Sequence, residues 1–270
     1  MDIKLRIVLD SPRSAAFNMA ADLYLLDQAS KRNCITLRLY RWRAPTITIG
    51  YMQKPTELLD LQALERHGAE WIRRPTGGRA VLHHQDVTYS CVFSRKIRRM
   101  GTTLASTYRL ISRGLMRGLE IAGIACEPHD SEIDSSRARR EVTLPCFLAP
   151  NREEIMVAGR KLVGSAQKRQ GKAVLQHGSI PLTCAFRQLP YYQKAENETR
   201  RELLALLQRK CTCVAELLPT FTESEIMSAL KQGFAEILTF EAFEEPWSGE
   251  ELRDIVLLSE SEEFKALWMS

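Results

Sequence analysis

Hydrophobic residues recur every three to four positions in two segments of the first half of the chain, which predicts two amphipathic helices. The first helix is expected over residues 14–29, with Ser14 as its N-cap. The second is expected over residues 104–119 and should end near Gly123. Both helices need an apolar surface to pack against.

Segments with alternating hydrophobic positions or a high content of β-prone residues predict that surface to be a β-sheet. They cover residues 35–40, 46–50, 70–73, 79–83 and 87–93. Residues 154–181 predict a β-meander, with turns at Ala158-Gly159 and at residues 169–171.

The order of these elements indicates the fold class. Strands occur in runs as well as between helices, so we predict an α+β fold: a mixed β-sheet with flanking helices, followed by a C-terminal helical appendage. The expected division is a first unit of residues 1–192 and an acidic helical segment of residues 193–270.

Composition favours a globular protein with a substantial core, because 44% of the 270 residues are hydrophobic. Residues 1–10 carry charges throughout and offer no hydrophobic core of a signal peptide. No stretch approaches the roughly 18 apolar residues of a membrane helix. We therefore expect a cytoplasmic protein without a membrane partner. The odd count of seven cysteines argues against a disulfide framework.

The charges are unevenly distributed. Residues 221–270 contain twelve acids and three bases, so residues 1–220 carry +14 within a chain of net charge +5. A basic body of this kind suits an acidic or phosphorylated partner. No zinc-finger or RRM signature is present, and we predict no nucleic-acid partner.

A glycine-rich segment, residues 73–83, is the first candidate for chemistry. Gly77 and Gly78 lie between two predicted strands, where the backbone can pass close to a ligand and present N–H groups to it. The neighbouring arginines suit a phosphate or carboxylate. The alternative is an ordinary glycine turn with solvated arginines.

Two further segments carry a lysine and a cysteine. Lys161 is followed on a predicted strand by the small residues of 164–166, which can leave a pocket open; a surface lysine of a hairpin is the alternative. Cys146 lies between Pro145 and Pro150, which favours a fixed loop. A nearby cation can lower the pKa of a loop thiol, although a single cysteine is more often inert.

Taken together, these segments resemble the lipoate–protein ligase and octanoyltransferase family, which shares its fold with biotin–protein ligases. The resemblance runs from Phe17 to Leu182. It rests on the following series: Asn18-Met-Ala20, Trp42-Arg-Ala-Pro45, Gly50, Gln53, Arg73-Arg-Pro-Thr-Gly-Gly-Arg-Ala-Val-Leu-His83, Asp86-Val-Thr-Tyr-Ser90, Gly159-Arg-Lys-Leu-Val-Gly-Ser-Ala-Gln167 and Gln176-His-Gly-Ser179.

Within the family, the position of the cysteine indicates the chemistry. One octanoyltransferase type carries its cysteine just before the His-Gly element, where this chain has Val174. A second type has a Cys-Phe-x-Ala-Pro loop before the lysine hairpin, and Cys146-Phe-Leu-Ala-Pro150 resembles it, fifteen residues before Lys161. ATP-dependent lipoate–protein ligases need no cysteine. A related carrier-to-carrier amidotransferase lacks the Thr-Gly-Gly-Arg form of the glycine loop.

The resemblance therefore implies an octanoyltransferase of lipoate biosynthesis. Cys146 would take octanoyl from acyl carrier protein as a thioester and pass it to a lysine of a lipoyl-domain protein, with Lys161 stabilising the thiolate. Neither cofactor nor metal is expected, and a monomer is the working expectation. The substrate-binding residues implied are Arg74, Thr76, Gly77, Gly78, Arg79, His83, Gly164, Ser165, Ala166, Gln167, His177 and Gly178. An ATP-dependent ligase, the amidotransferase and a non-catalytic carrier-binding module remain alternatives.

Overall fold

The computed structural model describes residues 3–128 and 154–270. The segment around Cys146 lies outside the described residues. Every interpretation placed on residues 129–153, including the assignment of the nucleophile, therefore keeps its status as a prediction from sequence.

Eight strands form the main sheet, in the order β11-β1-β2-β6-β10-β9-β8-β7. They are β1 Lys4–Leu9, β2 Cys34–Tyr40, β6 Asp86–Ser94, β7 Glu127–Pro128, β8 Ile155–Val157, β9 Arg160–Gln170, β10 Ala173–Pro181 and β11 Glu241–Glu244. β1 runs parallel to both β2 and β11, and the remaining pairs are antiparallel. The sheet is therefore mixed, as predicted.

A second sheet of three strands has the order β4-β3-β5. It consists of β3 Thr46–Ile49, β4 Glu70–Arg73 and β5 Val81–His83. β3 pairs with β4 in parallel and with β5 antiparallel, so the chain must turn between β4 and β5. The glycine-rich segment forms that turn.

Helices cover both faces of the main sheet. Those of the described residues are α1 Ala15–Gln28, α2 Pro55–Leu58, α3 Leu61–Arg66, α4 Leu104–Ile121, α5 Asn197–Lys210, α6 Val214–Leu217, α7 Glu223–Leu238, α8 Gly249–Glu260 and α9 Glu262–Trp268. Helices α4 and α7 pack on one face, and α1, α8 and α9 lie on the other. None of the helices in the described part of the chain has the length and apolar character needed to cross a membrane.

The helix pair α4–α7 packs unusually closely because glycines meet at the crossing. A Cβ atom on Gly233 would lie 2.1 Å from the backbone nitrogen of Gly118. Phe234 next to this contact is completely buried and joins Ile111 and Leu115 in the larger core cluster. The predicted amphipathic helix thus buries its apolar face between the sheet and a helix from the C-terminal segment.

Helix α1 begins as the sequence predicts. The Ser14 hydroxyl accepts a hydrogen bond from the backbone N–H of Phe17, which satisfies one of the free donors of the first turn. Most of the helix is buried, including the polar residues Asn18 and Asp22. Polar groups are rarely buried without partners, so these two residues already point to a polar network beneath the helix.

The segment after Tyr192 contributes to the same sheet and cores as the preceding residues. Its strand β11 pairs with β1 at the edge of the main sheet. Arg6 on β1 forms a buried ion pair with Glu251 on α8. Strand β11 was not predicted, because a four-residue stretch in an acidic, helix-rich region gives no clear periodicity. The division at residues 192 and 193 stays a prediction.

Candidate active site

Two rows of polar or small residues cross the face of the main sheet that lies under α1. Strand register places residues of one row directly opposite each other on β2, β6, β10 and β9. The rows are Arg38–Ser90–His177–Ala166 and Tyr40–Thr88–Ser179–Gly164. The same face is apolar further along these strands, at Val92 and Leu175. The interruption of an apolar face by buried polar groups marks this part of the sheet as a site.

A pocket that is partly open to solvent lies above these rows. Seven of the predicted substrate-binding residues line it: Arg74, His83, Gly164, Ser165, Ala166, His177 and Gly178. Seven residues not assigned from the sequence also line it: Met19, Tyr40, Trp42, Thr48, Val81, Thr88 and Ser179.

His177 is held at both ring nitrogens. Its Nδ1 lies 2.9 Å from Oδ2 of Asp22, and its Nε2 lies 2.7 Å from the hydroxyl of Thr76. Because a carboxylate can only accept, Asp22 requires the proton to be on Nδ1. Nε2 then carries the lone pair in the neutral ring and accepts from Thr76. This hydroxyl–imidazole–carboxylate arrangement resembles the one that activates hydroxyl nucleophiles or relays protons.

Asp22 also binds a buried cation. Arg38 donates to Oδ1 of Asp22 at 3.3 Å and to Asp10 at 2.9 Å, while the hydroxyl of Tyr40 donates to Asp22 at 3.3 Å. Complete burial and the charge of Asp22 raise the pKa of Tyr40 well above its ordinary value, so its phenol remains a hydrogen-bond donor. The carboxylate that orients His177 is therefore itself fixed from two other directions.

His83 has surroundings of the same kind. Its Nδ1 lies 2.8 Å from Oδ2 of Asp86, and its Nε2 lies 3.0 Å from the hydroxyl of Thr48. Its ring stacks on Trp42 with centroids 4.4 Å apart. Asp86 also accepts from Ser179, at 2.6 Å. Two oriented imidazoles thus flank one pocket.

Arg74 shapes the glycine turn. Its guanidinium donates to the backbone carbonyls of Thr48, Gly77 and Arg79, at 3.0, 2.9 and 2.7 Å. These bonds tie the turn to strand β3. Although Arg74 lines the pocket, its described hydrogen bonds indicate a role in holding the loop.

The glycines of the turn allow a very close approach of two backbone segments. A Cβ atom on Gly50 would lie 1.9 Å from the carbonyl oxygen of Gly78, which no side chain can accommodate. Gly78 has a φ of 94°, a conformation that favours glycine. Gly77 and Gly78 are exposed at this turn and are not among the residues that line the pocket, so their contact with a ligand stays a prediction.

Some predicted residues lie beside the pocket rather than in its lining. Gln167 points to the opposite face of β9, where it donates to Gln176 at 2.9 Å. Thr76 contacts the pocket only through His177, while Arg79 is half-buried.

Lys161 is buried on β9, three residues before the pocket residue Gly164. Its ammonium donates to Oε1 of Glu154 at 2.5 Å. Glu154 follows directly on the segment that contains Cys146. Burial of both charged groups requires such a pair, because an isolated buried charge is very costly. The pairing of Lys161 with Cys146 stays a prediction, since Cys146 is outside the described residues.

Three potential metal ligands, Cys184, Cys213 and Glu216, meet below β9. Arg187 donates to Glu216 at 2.7 Å and to the sulfur of Cys184 at 3.2 Å. The hydrogen bond from Arg187 is the main reason why the pKa of Glu216 falls to about 2. Burial raises the pKa of Cys184 to about 12 and keeps it a thiol. A guanidinium already neutralises this cluster, so we assign no metal to it.

The most important residues that were not assigned from the sequence are Asp22 and Asp86. Asp22 lies four positions after Asn18, so both point to one side of α1, and two polar residues on the buried side of a helix are a usable signal. Asp86, Trp42 and Ser179 belonged to the motif series but had no role attached to them. Their roles depend on contacts between distant parts of the chain.

Sequence comparison assigns this chain to a protein family. The family agrees with three features of the structure: the mixed sheet, the glycine turn and the pocket with its two oriented histidines. The sequence model of the family described as 'lipoyl protein ligase A/B catalytic domain' matches residues 14–235 of this chain. This chain belongs to that family, which confirms the family predicted from the motifs.

Individual relatives give a narrower comparison. The chain is 40% identical over 226 residues to octanoyltransferase LipM of Geobacillus kaustophilus, covering 81% of each chain. It is 35% identical over 255 residues to octanoyltransferase LipM of Oceanobacillus iheyensis, covering 93% of this chain and 92% of the relative.

Solved structures confirm the fold. A lipoate–protein ligase A bound with ATP superposes with a TM-score of 0.76 and 23% identity, covering 98% of both chains. A bipartite lipoate protein ligase from Thermoplasma acidophilum, described with its E2 lipoyl domain, gives a TM-score of 0.79 at 21% identity, covering 98% of this chain and 96% of the other. The predicted α+β class is thereby confirmed.

Proposed function

We propose that this chain is an octanoyltransferase that moves octanoyl from the thioester of acyl carrier protein to the ε-amine of a lysine on a lipoyl domain. The observation that carries the proposal is the 40% identity to an octanoyltransferase over 81% of both chains. The relatives confirm the enzyme class, an acyltransferase. The donor, the acceptor and the cysteine route are the further content of the proposal.

The pocket supports an acyl substrate. Met19, Trp42 and Val81 give it apolar walls, and Gly164 and Ala166 keep its floor free of large side chains. An alkyl chain gains free energy by leaving water for such a surface. The polar groups of the pocket belong to the two histidine networks, which suits a substrate with one reactive polar end.

The first step is acylation of the enzyme. The thiolate of Cys146 attacks the donor carbonyl, a new carbon–sulfur bond forms, and the carrier thiolate leaves and takes up a proton. Lys161 is the proposed cationic partner of this thiolate; in the structure its buried ammonium pairs with Glu154, which lies eight residues after Cys146 in the sequence. A cation near a cysteine favours the thiolate and can stabilise the oxyanion that develops.

The second step is transfer to the amine. The ε-amine of the acceptor lysine attacks the acyl-thioester, the amide bond forms, and Cys146 leaves as thiolate. The amine must lose a proton, and His177, which lines the pocket, is the proposed acceptor at Nε2 once that nitrogen has released its hydrogen bond from Thr76. Asp22, 2.9 Å from Nδ1, orients the ring and stabilises the imidazolium that results. A thioester is already activated, so the pathway requires no ATP.

The test is transfer from octanoyl-acyl carrier protein to a lipoyl domain, followed by mass spectrometry. The expected result is one added octanoyl group on the lipoyl domain without ATP or magnesium. The enzyme itself should carry a hydroxylamine-labile octanoyl group when no acceptor is present. Product formed only from free octanoate with ATP would make this chain a ligase and contradict the proposal.

Cysteine variants locate the intermediate. Cys146→Ala should abolish both the acyl-enzyme and the product while the protein stays folded. Cys126→Ala is the matched control, because burial raises the pKa of Cys126 to about 12 and makes it a poor nucleophile. Full activity of Cys146→Ala would remove Cys146 from the mechanism.

A cytoplasmic location and a monomeric state stay predictions.

A further inference from the structure

Basic side chains gather around the tip of the β9–β10 hairpin and the end of β6. We call this surface the hairpin patch and define it as Arg95, Lys96, Arg98, Arg99, Lys168, Arg169 and Lys172. The backbone N–H of Arg95 donates to the carbonyl of Lys172 at 2.7 Å, and the Arg95 guanidinium donates to the carbonyl of Gly171 at 3.1 Å. These bonds join the two parts of the patch into one surface.

The hairpin patch lacks compensating acids. The sequence has no aspartate or glutamate over residues 87–119 or 155–195, which cover β9, β10, all of β6 after Asp86 and all of α4 before Glu120. Within the described part of the chain, none of the seven patch residues forms an ion pair with a carboxylate. Most of the patch is exposed.

The basic groups also repel one another. Burial, together with the nearby charge of Arg95, lowers the pKa of Arg169 below its ordinary value. Arg169 is nevertheless fixed in place, because it donates to the hydroxyl of Thr107 at 2.9 Å and to the carbonyl of Thr102 at 3.2 Å. A cluster of like charges without counter-charges costs stability and is the expected form of a surface for an anionic partner.

The hairpin patch begins beside the pocket. Lys168 follows the pocket residue Ala166 by two positions on β9, so the two share a face about 7 Å apart. The ammonium of Lys168 lies 5.2 Å above the ring of Tyr51, whose backbone N–H donates to the carbonyl of Thr76 in the glycine turn. A partner on the patch would therefore sit at the edge of the acyl site.

Exposed apolar residues accompany these charges. Tyr51 is 49% exposed, Met52 is 86% exposed, and Leu104 at the start of α4 is 56% exposed. Arg169 connects the region of Leu104 to the hairpin through Thr102 and Thr107. Basic groups interspersed with a few apolar residues are typical of a protein-binding surface.

We propose that the hairpin patch docks the acidic donor, acyl carrier protein, with its acyl-bearing arm directed to the pocket. This inference rests on the proposed function. The basic charge of the hairpin patch complements an acidic protein. The position of the patch next to the acyl site means that this protein would be one that carries an acyl group. The donor is favoured over the acceptor because its arm is joined to the protein through a phosphodiester, which adds negative charge where the arm leaves the carrier.

The test reverses two exposed charges that make no side-chain hydrogen bond in the structure, in the double variant Lys96→Glu with Lys172→Glu. With octanoyl-acyl carrier protein as donor at low salt, kcat/KM should fall about tenfold or more through a higher KM. With octanoyl-N-acetylcysteamine, a small thioester without a carrier, kcat/KM should stay within about twofold of wild type. The acceptor KM should also be unchanged.

The matched control is Arg66→Glu with Arg253→Glu, which changes the net charge equally at exposed positions outside the patch. It should leave both donors unaffected. An unchanged KM for the carrier in the patch variant, an equal loss with the small thioester, or a raised KM for the lipoyl domain alone would overturn the docking proposal. Loss of nucleic-acid binding with unchanged carrier kinetics would also overturn it.

A direct measurement of carrier binding tests the docking surface independently of the proposed acyl transfer. Fluorescence anisotropy with labelled acyl carrier protein should give a Kd that rises about tenfold in the patch variant and not in the control. If wild type transfers octanoyl from neither donor, the proposed function fails, and the anisotropy result alone decides on the patch.

Discussion

At the residue scale, His83 and His177 have matching neighbours but differ in the charge behind them. Each ring has an aspartate at Nδ1 and a threonine hydroxyl at Nε2. Asp22, behind His177, also binds the Arg38 cation. Among the described residues, no arginine or lysine pairs with Asp86, which binds the ring of His83 and otherwise accepts from hydroxyls. The two histidines are therefore not interchangeable.

Asp22→Asn should slow the second step of transfer. The amide of an asparagine can donate to Nδ1 as well as accept from it, so it no longer fixes the proton there, and the stabilising negative charge is lost. General-base catalysis contributes about 10²–10⁴-fold, and we expect a loss of at least about 10² in the rate at which a preformed acyl-enzyme reacts with the lipoyl domain. The measurement is single-turnover kinetics over a range of pH. Formation of the acyl-enzyme should change little.

Tyr40→Phe is the control for this variant. It removes another hydrogen bond to Asp22 and leaves the bond between Asp22 and His177 in place. We expect a much smaller effect on the rate of amine transfer than in Asp22→Asn. If Asp22→Asn retains the wild-type rate and pH profile, His177 does not act through Asp22.

At the scale of elements, the backbone after β3 passes close to the turn between β4 and β5, and two glycines in this region can be compared. Gly50→Ala would place a Cβ atom 1.9 Å from the Gly78 carbonyl oxygen, whereas a Cβ atom on Gly77 has no neighbour within 4 Å. Gly50→Ala should therefore lower the free energy of unfolding by about 2 kcal/mol or more, while Gly77→Ala leaves it nearly unchanged. Urea unfolding measures both. Equal stabilities of the two variants would contradict the close approach.

The elements themselves follow closely from the sequence, whereas several site contacts do not. Helix α1 was predicted from its helical periodicity, and strand β10 from its place in a β-meander marked by turns; both signals are local in the sequence. The motif resemblance pointed to His177 but not to its partner Asp22, which lies 155 positions away in the chain. Local pattern carries no information about such pairs. Strand β11 was missed because its four residues give no clear periodicity, and its pairing with β1 joins opposite ends of the sequence.

At the scale of the whole molecule, the chain ends are joined through a buried ion pair. Arg6 on β1 donates to both carboxylate oxygens of Glu251 on α8, at 2.7 and 2.8 Å, and Arg32 binds the same carboxylate. Burial alone would raise the pKa of Glu251, but hydrogen bonds from Arg6, the Ser248 backbone N–H and Arg32 outweigh it, so the pKa falls to about 2. The charged form therefore contributes to the stability of the folded chain.

This contribution has a defined pH dependence. The pKa of Glu251 is about 2 in the folded protein and 4.5 as the reference for the unfolded chain. The stabilisation is thus fully present above about pH 4.5 and is lost as the pH falls toward 2. Glu251→Gln should reduce the free energy of unfolding at pH 7 by on the order of 1–2 kcal/mol, after allowance for solvent screening. The deficit relative to wild type should shrink on acidification through this window.

The matched control is Glu250→Gln, one residue earlier on the exposed side of α8. It removes the same charge but no described ion pair, so its effect should be within about 0.5 kcal/mol at pH 7. Urea unfolding at several pH values between 7 and 3 distinguishes the two variants. The C-terminal segment also supplies β11 and much of the core that packs against α4. Loss of the Arg6–Glu251 ion pair should therefore lower the stability of the whole sheet. Identical pH profiles for Glu251→Gln and Glu250→Gln would show that the ion pair does not join the chain ends energetically.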